Sequence, residues 1–151
     1  MSHKVSITVR FHAPPEDLRR YFTTFYIAEI DTGGAPPLED SLQPEWANLR
    51  ISDNALPASW FDGQAPLEPS KFLATGPSSR PCHFRIGTSR LWGIGLLPLG
   101  WARFVGKSAS EHTNMVCDGH LHPSFAPFAG LADGLFGSQP DEAGELNRII
   151  A

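Results

Sequence analysis

The chain contains the stretch Leu91-Trp92-Gly93-Ile94-Gly95-Leu96-Leu97-Pro98-Leu99-Gly100-Trp101, and the period of the apolar residues changes within it. Upstream of Pro98 the apolar segments alternate with polar residues at every second position, which is typical of β-strands. Downstream, the apolar residues Leu97, Trp101, Phe104 and Val105 are spaced as on one face of a helix. The sequence therefore predicts strands over about residues 1–97 and short helices over 98–151.

Alternating segments recur along the first part of the chain. Val5–Phe11 alternates throughout, and shorter runs surround Ile51 and Phe84. Turn signals such as Asp62-Gly63 and Gly87-Thr88 separate these runs, and such spacing favours an all-β sandwich or barrel. The glycines inside the Leu91–Leu97 run indicate a bend or a close backbone approach.

One helix is also expected between the first two strands. Pro14-Pro15-Glu16-Asp17 has the prolines and acids of a helix N-terminus. Leu18, Tyr21, Phe22 and Phe25 follow it at helical spacing, and Tyr26–Ile30 is predicted as the next strand. The acids Glu39, Asp40 and Glu45 are expected in loops.

Further helices are predicted after Gly106, which should end the first one. Ser108-Ala109-Ser110-Glu111 has the spacing of a capping box. An apolar stripe covers 125–136, and a last helix should follow Ser138-Gln139-Pro140-Asp141. The pattern is still helical at Ala151, so we expect residues 1–151 to form a single domain of a longer protein.

Composition and charge exclude several functional classes. Of the 151 residues, 12 are Lys or Arg and 16 are Asp or Glu, which gives a net charge of -4. Because DNA affinity depends on clustered cations, the chain by itself should not bind DNA. No apolar run approaches the roughly 20 residues that cross a membrane. The two cysteines, Cys82 and Cys117, are expected to be reduced thiols in a cytoplasmic protein.

The sequence carries no strong catalytic or metal-binding motif. His120-Leu121-His122 is a histidine pair, but the nearest acid after it is Asp133, and metal sites need several convergent ligands. Gly93-Ile94-Gly95 lacks the remaining features of a dinucleotide-binding fingerprint. We therefore expect no enzymatic activity, no catalytic residues, no cofactor and no tightly bound metal ion.

Aromatic residues are the positive signal for binding, since apolar pockets are commonly lined by them. Four Trp and ten Phe are present. Trp60, Phe84 and Trp92 lie in the middle of predicted strands, on their apolar faces, and are the predicted ligand-binding residues. Arg50 and Arg85 lie on the opposite faces of their strands. They are expected on the surface, or else in the lumen of a barrel, where they would bind an anionic ligand.

Several segments together resemble the N-terminal regulatory domain of AraC/XylS-type transcriptional regulators. The resemblance is carried by the Leu91–Trp101 stretch, by Phe104-Val105-Gly106, by Ser110-Glu111-His112-Thr113-Asn114-Met115-Val116 and by the loop Thr75-Gly76-Pro77-Ser78-Ser79-Arg80-Pro81. It covers about residues 72–137, and these motifs are structural. The resemblance implies a mainly β fold with some α, namely a cupin-like jelly-roll β-barrel followed by short helices.

The resemblance also implies a function. Such a domain senses a small-molecule effector, mediates dimerisation, or does both, and so controls transcription. DNA would be bound only through a helix-turn-helix domain that is not in this chain. The alternative from another functional class is a small cupin-like enzyme or metal-binding protein.

A homodimer is expected to use the C-terminal helices. If the large apolar residues of these helices were left exposed, they would form a larger apolar patch than monomers usually expose. A two-fold axis pairing two such stripes would remove it, and the predicted interface residues are Phe125, Phe128, Leu146 and Ile149. The alternative, that these residues cap the barrel of their own chain, stays open at this point.

Overall fold

A computed structural model describes residues 5–34, 36, 38–43, 45–56, 58–64, 67 and 69–150. Residues 1–4 and Ala151, which the predicted domain includes, lie outside these ranges. The strands are β1 (Ser6–His12), β2 (Phe22–Asp31), β3 (Leu38–Leu42), β4 (Asn48–Leu56), β5 (Ala58–Trp60), β6 (Ser70–Thr75), β7 (Cys82–Ile86), β8 (Ser89–Leu96) and β9 (Val116–Asp118).

The strands form two antiparallel sheets. Their spatial orders are β1-β2-β8-β4-β6-β9 in the large sheet and β3-β7-β5 in the small sheet. No strand within the described ranges joins the two sheets into one closed sheet. The fold is therefore mainly β with a few short helices, which confirms the predicted class at this level.

Three strands differ from the sequence-based expectation. The helix expected after Pro14 is only a 3₁₀ turn, Glu16–Leu18, and β2 already begins at Phe22. β3 contains Glu39 and Asp40, which were expected in a loop. β9 lies in the region where only helices were predicted, and it pairs with β6. In each case pairing with a neighbouring strand outweighs a weak local pattern.

The helical elements follow β8. α1 (Pro98–Gly100) continues as a π-helical turn, Trp101–Val105, which ends at Gly106 in the left-handed conformation, as predicted. The remaining elements are the 3₁₀ turns Ser110–His112 and Pro123–Phe128 and the helices α2 (Ala129–Gly134) and α3 (Glu142–Ile150). Ser108 makes no capping-box contact with Glu111; its hydroxyl pairs with that of Ser110. No helix in the described part is long and apolar enough to cross a membrane.

The large sheet has an apolar layer on each face, because its side chains alternate between the faces. One face packs against the C-terminal helices and forms the main core, whose fully buried members include Phe25, Ile27, Leu49, Phe72, Trp92, Phe125 and Leu135. The other face is turned toward the small sheet and carries a second, smaller cluster made of Ala28, Ile30, Leu73, Ile86 and Leu91.

Polar contacts anchor α3 to the large sheet. The carboxylate of Glu145 is 1% exposed; it pairs with the Arg90 guanidinium and accepts a hydrogen bond of 3.0 Å from Trp92 Nε1. One turn earlier, Glu142 accepts a hydrogen bond of 2.7 Å from Arg10 Nε and lies 2.8 Å from His12 Nε2. The hydrogen bond from Arg10 lowers the pKa of Glu142 below its ordinary value.

Gly76 approaches the helical region so closely that alanine should not fit there. An added Cβ would lie 1.8 Å from the carbonyl oxygen of His112, a backbone atom that cannot move aside cheaply. Gly76→Ala should therefore lower the free energy of unfolding by about 1–3 kcal/mol, the usual cost of overpacking. Urea denaturation measures this, with Gly87→Ala as the matched control because a Cβ there meets nothing within 4 Å. Equal midpoints for the two variants would contradict the prediction.

Candidate functional site

A cavity of about 220 Å³ lies between the two sheets. Its walls come from both sheets and are almost entirely apolar. The lining residues are Ile7, Val9, Tyr26, Ala28, Ile30, Leu42, Arg50, Ser59, Leu73, Thr75, Cys82, Phe84, Ile86, Leu91 and Val116. An apolar cavity of about 150 Å³ already accommodates benzene, so this one has room for a single ring or a short chain.

Strand register places these residues on one face. Ala28 of β2 is paired with Val9 of β1 on one side and with Leu91 of β8 on the other. Paired antiparallel residues project to the same face of a sheet, so all three border the cavity. Phe84, the central residue of β7, lies opposite them in the small sheet.

One charged group, Arg50, borders the apolar space. It is 8% exposed, its Nε donates a hydrogen bond of 2.9 Å to the Tyr26 hydroxyl, and its Nη2 lies 2.7 Å from Oε1 of Glu45. Because an arginine stays protonated in proteins, it brings a permanent positive charge to the cavity wall. Its two partners hold the guanidinium in a fixed orientation.

Gly93 makes the position of Tyr26 possible. The two residues are paired across β2 and β8, and a Cβ on Gly93 would lie 2.0 Å from the Tyr26 ring. Arg50 is paired with Gly93 on the other side. The Tyr26 ring therefore lies over the glycine and reaches the guanidinium, which confirms the close approach predicted for this glycine.

Cys82 adds a thiol to the wall. Burial raises its pKa to about 11. At neutral pH the thiol is therefore protonated and weakly nucleophilic. Cys82 contributes an apolar surface to the cavity rather than a reactive group.

Of the three predicted ligand-binding residues, only Phe84 lines this cavity. Trp92 is fully buried on the opposite face of the large sheet, where its indole bonds to Glu145. Trp60 lies 5.6 Å from the ring of His83, and the guanidinium of Arg85 lies 5.5 Å from its ring centroid. Trp60 therefore belongs to the outer face of the small sheet, since its neighbour Ser59 faces the cavity.

Arg50 and Arg85, for which the sequence left two locations open, have different positions in the structure. Arg50 borders the cavity between the two sheets, although the surface was the favoured expectation. Arg85 is exposed and pairs with Glu39 at 3.3 Å. Sequence reasoning missed Tyr26 and Glu45 as partners of Arg50. The isolated Arg50 between the apolar residues Leu49 and Ile51 was the available signal.

A chain of hydrogen bonds crosses the outer face of the small sheet. Ser41 Oγ lies 2.7 Å from His83 Nδ1, and His83 Nε2 lies 2.8 Å from Asp62 Oδ1. The register brings Ser41 and His83 together as direct partners of β3 and β7. Serine, histidine and carboxylate follow one another as in a hydrolytic triad, but the serine is bonded to Nδ1 and the carboxylate to Nε2, the reverse of the usual assignment. Nothing in the sequence spacing indicated this group.

The two histidines of the His120-Leu121-His122 pair have different partners in the structure. His120 Nε2 lies 2.8 Å from Asp133 Oδ1. His122 instead accepts a hydrogen bond from the Ser124 backbone, and its ring contacts that of His112 edge to face. Partial burial, together with His112, lowers the pKa of His122. In the part of the chain that the structure describes, no three His, Cys, Asp or Glu side chains are grouped as metal ligands would be.

The predicted dimer residues are used within the chain itself. Phe125 is 0% exposed at the centre of the main core, so it is not available to a partner, contrary to the sequence-based expectation. Phe128, Leu146 and Ile149 are partly buried against the same core. The alternative weighed from the sequence, that they cap their own chain, agrees with these contacts.

Comparisons with protein-family models, with curated proteins and with solved structures find no match to this chain.

Proposed function

We propose that this chain is a regulatory domain that binds a small, mainly apolar effector in the cavity between its two sheets. The observation that carries the proposal is the apolar cavity of about 220 Å³ with Arg50 in its wall. Binding pockets for small molecules typically combine apolar walls with a few fixed polar groups. Arg50 supplies such a group, and it favours an effector with a hydrogen-bond acceptor or an anionic end.

The resemblance of residues 72–137 to AraC/XylS-type regulatory domains supports the same proposal. In that interpretation the two sheets are a cupin-like jelly-roll barrel, and the chain is the sensing part of a cytoplasmic transcription factor. A helix-turn-helix domain beyond residue 151 would bind the DNA. Reading the gene beyond that codon tests this part, and a coding sequence without two helix-turn-helix units contradicts it.

Effector binding can be tested with a matched pair of probes, octanol and octanoate, by calorimetry on the full chain. We expect both to bind, because the chain of each probe can occupy the apolar space. Ala28→Leu should weaken binding at least about tenfold, since a tenfold change corresponds to only 1.4 kcal/mol. Ala58→Leu is the matched control, because Ala58 pairs with Arg85 on the outer face.

The role of Arg50 is tested with Arg50→Met, which keeps an unbranched apolar stem but removes the guanidinium and its charge. Octanoate should lose more affinity than octanol in this variant. Failure of both probes to bind the unmodified chain, or binding that Ala28→Leu leaves unchanged, would overturn the proposal.

A second candidate function, hydrolysis of an ester, is favoured by the hydrogen-bonded chain Ser41–His83–Asp62. In this reaction Ser41 Oγ would attack the ester carbonyl while His83 takes its proton and then protonates the leaving alcohol. Water would release the acid and restore Ser41. We place it second because Asp62 is 77% exposed and the group lies outside the cavity.

The hydrolytic candidate is tested with a fluorophosphonate reagent and mass spectrometry. Labelling confined to Ser41, lost in Ser41→Ala and retained in the control Ser138→Ala, would support it. Unlabelled Ser41 after exhaustive treatment would exclude the activity.

A further inference from the structure

β1 is an open edge of the large sheet with an exposed apolar side. It pairs with β2 only, so the backbone groups along its other side have no strand partner among the described residues. Every second residue is a large apolar side chain exposed to solvent, with Val5 40%, Ile7 58%, Val9 44% and Phe11 71% exposed. Ile7 and Val9 also border the cavity.

This edge differs from the other sheet edges of the described chain. β9 and β5 have three residues each and β3 has five, whereas β1 has seven. Proteins usually protect edge strands by making them short or by placing charges on them. The apolar side of β1 carries no charge, and its length is enough to bind another strand.

We propose that β1 binds β1 of a second copy of this chain, antiparallel and about a two-fold axis, so that the two large sheets become one. A two-fold axis perpendicular to the sheet pairs odd residues with odd residues, because paired antiparallel residues share a face. Centred on Thr8, it places Val5 opposite the partner's Phe11 and Ile7 opposite the partner's Val9. All four exposed apolar residues then gain an apolar neighbour.

On the other side of β1, residues 6–10 bring no like charges opposite each other in this register. Arg10 lies opposite the partner's Ser6, and Ser6 is paired with Asp31 of β2 in each chain. Arg10 already pairs with Glu29 and Glu142 of its own chain, so its charge is compensated without the partner. Thr8 lies at the axis opposite its own copy, so no charge meets a like charge there.

The dimer bears on the cavity but does not depend on effector binding. Since Ile7 and Val9 border both the cavity and the free edge, the second β1 would lie next to the cavity. An interface of this kind uses none of the C-terminal residues that the sequence indicated for dimerisation.

Disulfide cross-linking tests the register. Thr8→Cys should form a covalent dimer under mild oxidation. The two Cα atoms of residue 8 would be about 4.5–5.5 Å apart at the axis, which is within the Cα–Cα range that a disulfide bridges. Ser6→Cys is the matched control, since its own copy would lie four residues away along the strands. The unmodified chain gives the background from Cys82 and Cys117. Equal cross-linking of both variants would overturn this register.

Sedimentation of the full chain tests the interface itself. Val5→Lys/Phe11→Lys should dissociate the dimer, because two lysines face each other at each end of the paired strands. Val5→Lys/Phe11→Glu should dimerise at least about tenfold more tightly than the double lysine variant, since opposite charges then meet, and added salt should reduce the difference. Leu121→Lys, at a residue 83% exposed, is the control and should dimerise normally.

The outcome that overturns the proposal is equally direct. A monomer at 100 micromolar for the unmodified chain, or a dimer that the double lysine variant leaves intact, rules out β1 as the interface. Octanol binding by that monomer would leave the proposed cavity function standing, so the two proposals fail separately.

Discussion

Glu145→Ala should lower the free energy of unfolding by about 3–5 kcal/mol, the usual cost of breaking a buried ion pair by removing one partner. Glu145 is 1% exposed, and both Arg90 and the Trp92 indole donate to its carboxylate. Without it, the Arg90 guanidinium stays buried with its charge uncompensated. We also expect α3 to detach, which limited proteolysis would detect as a new cleavage near residues 138–150.

Two controls separate the buried charge from the helix contact. Arg90→Met/Glu145→Met should recover more than half of the lost stability, because apolar residues of similar size can replace a buried pair without a large penalty. Glu142→Ala removes the partly exposed anchor of the same helix and should cost under about 1 kcal/mol. If Glu145→Ala unfolds at the same urea concentration as Glu142→Ala, the buried pair does not hold the helix.

Trp92→Ala should be similarly destabilising, at about 3–5 kcal/mol, because it leaves a large void in a closely packed layer. Its ring is fully buried between the large sheet and the helices, 5.6 Å from the ring of His12. The milder variant Trp92→Phe keeps most of the side-chain volume. It should leave the affinity for octanol within about twofold, because residue 92 lies on the helix-facing side of the large sheet and does not line the cavity.

Phe84→Ala provides the contrasting result. Phe84 lines the cavity, so its truncation should weaken octanol binding at least about tenfold, equivalent to 1.4 kcal/mol. The comparison tests the two faces of the large sheet directly. A loss of octanol affinity in Trp92→Phe as large as in Phe84→Ala would show that the tryptophan, as the sequence suggested, belongs to the binding site.

The fold could be predicted where one physical signal was dominant. Strict alternation marked β1 and β7, and Pro98 marked the end of β8. β2 was misassigned at its start because Phe22 and Phe25 are three residues apart, which is a helical spacing. In the strand both enter the main core because the pairing of β2 with β8 is irregular between them, and the sequence does not reveal that irregularity. β9 is three residues long and is defined by its partner β6, so no local pattern could reveal it.

The candidate site was less accessible to sequence reasoning because the large sheet is buried on both faces. All eight residues of β8 are buried, so no polar face distinguishes the cavity side from the helix side. The alternating pattern correctly places Trp92 and Ile94 on the same face of β8. It does not indicate whether that face is turned toward the helices or toward the small sheet. Arg50 is held at the cavity by Tyr26 and Glu45, which bind its guanidinium. Tyr26 is on another strand, and Glu45 lies before β4, outside the alternating pattern that surrounds Arg50.

The alternation of the large sheet between two apolar layers bears on how this protein tolerates change. Along β2, Tyr26, Ala28 and Ile30 face the cavity, whereas Phe25 and Ile27 face the helices. A saturation mutagenesis scan should therefore show phenotypes with a period of two, in which one set alters ligand preference and the other alters abundance. Because the two sets share a backbone but few contacts, ligand selectivity can diverge among descendants of such a domain while the fold persists.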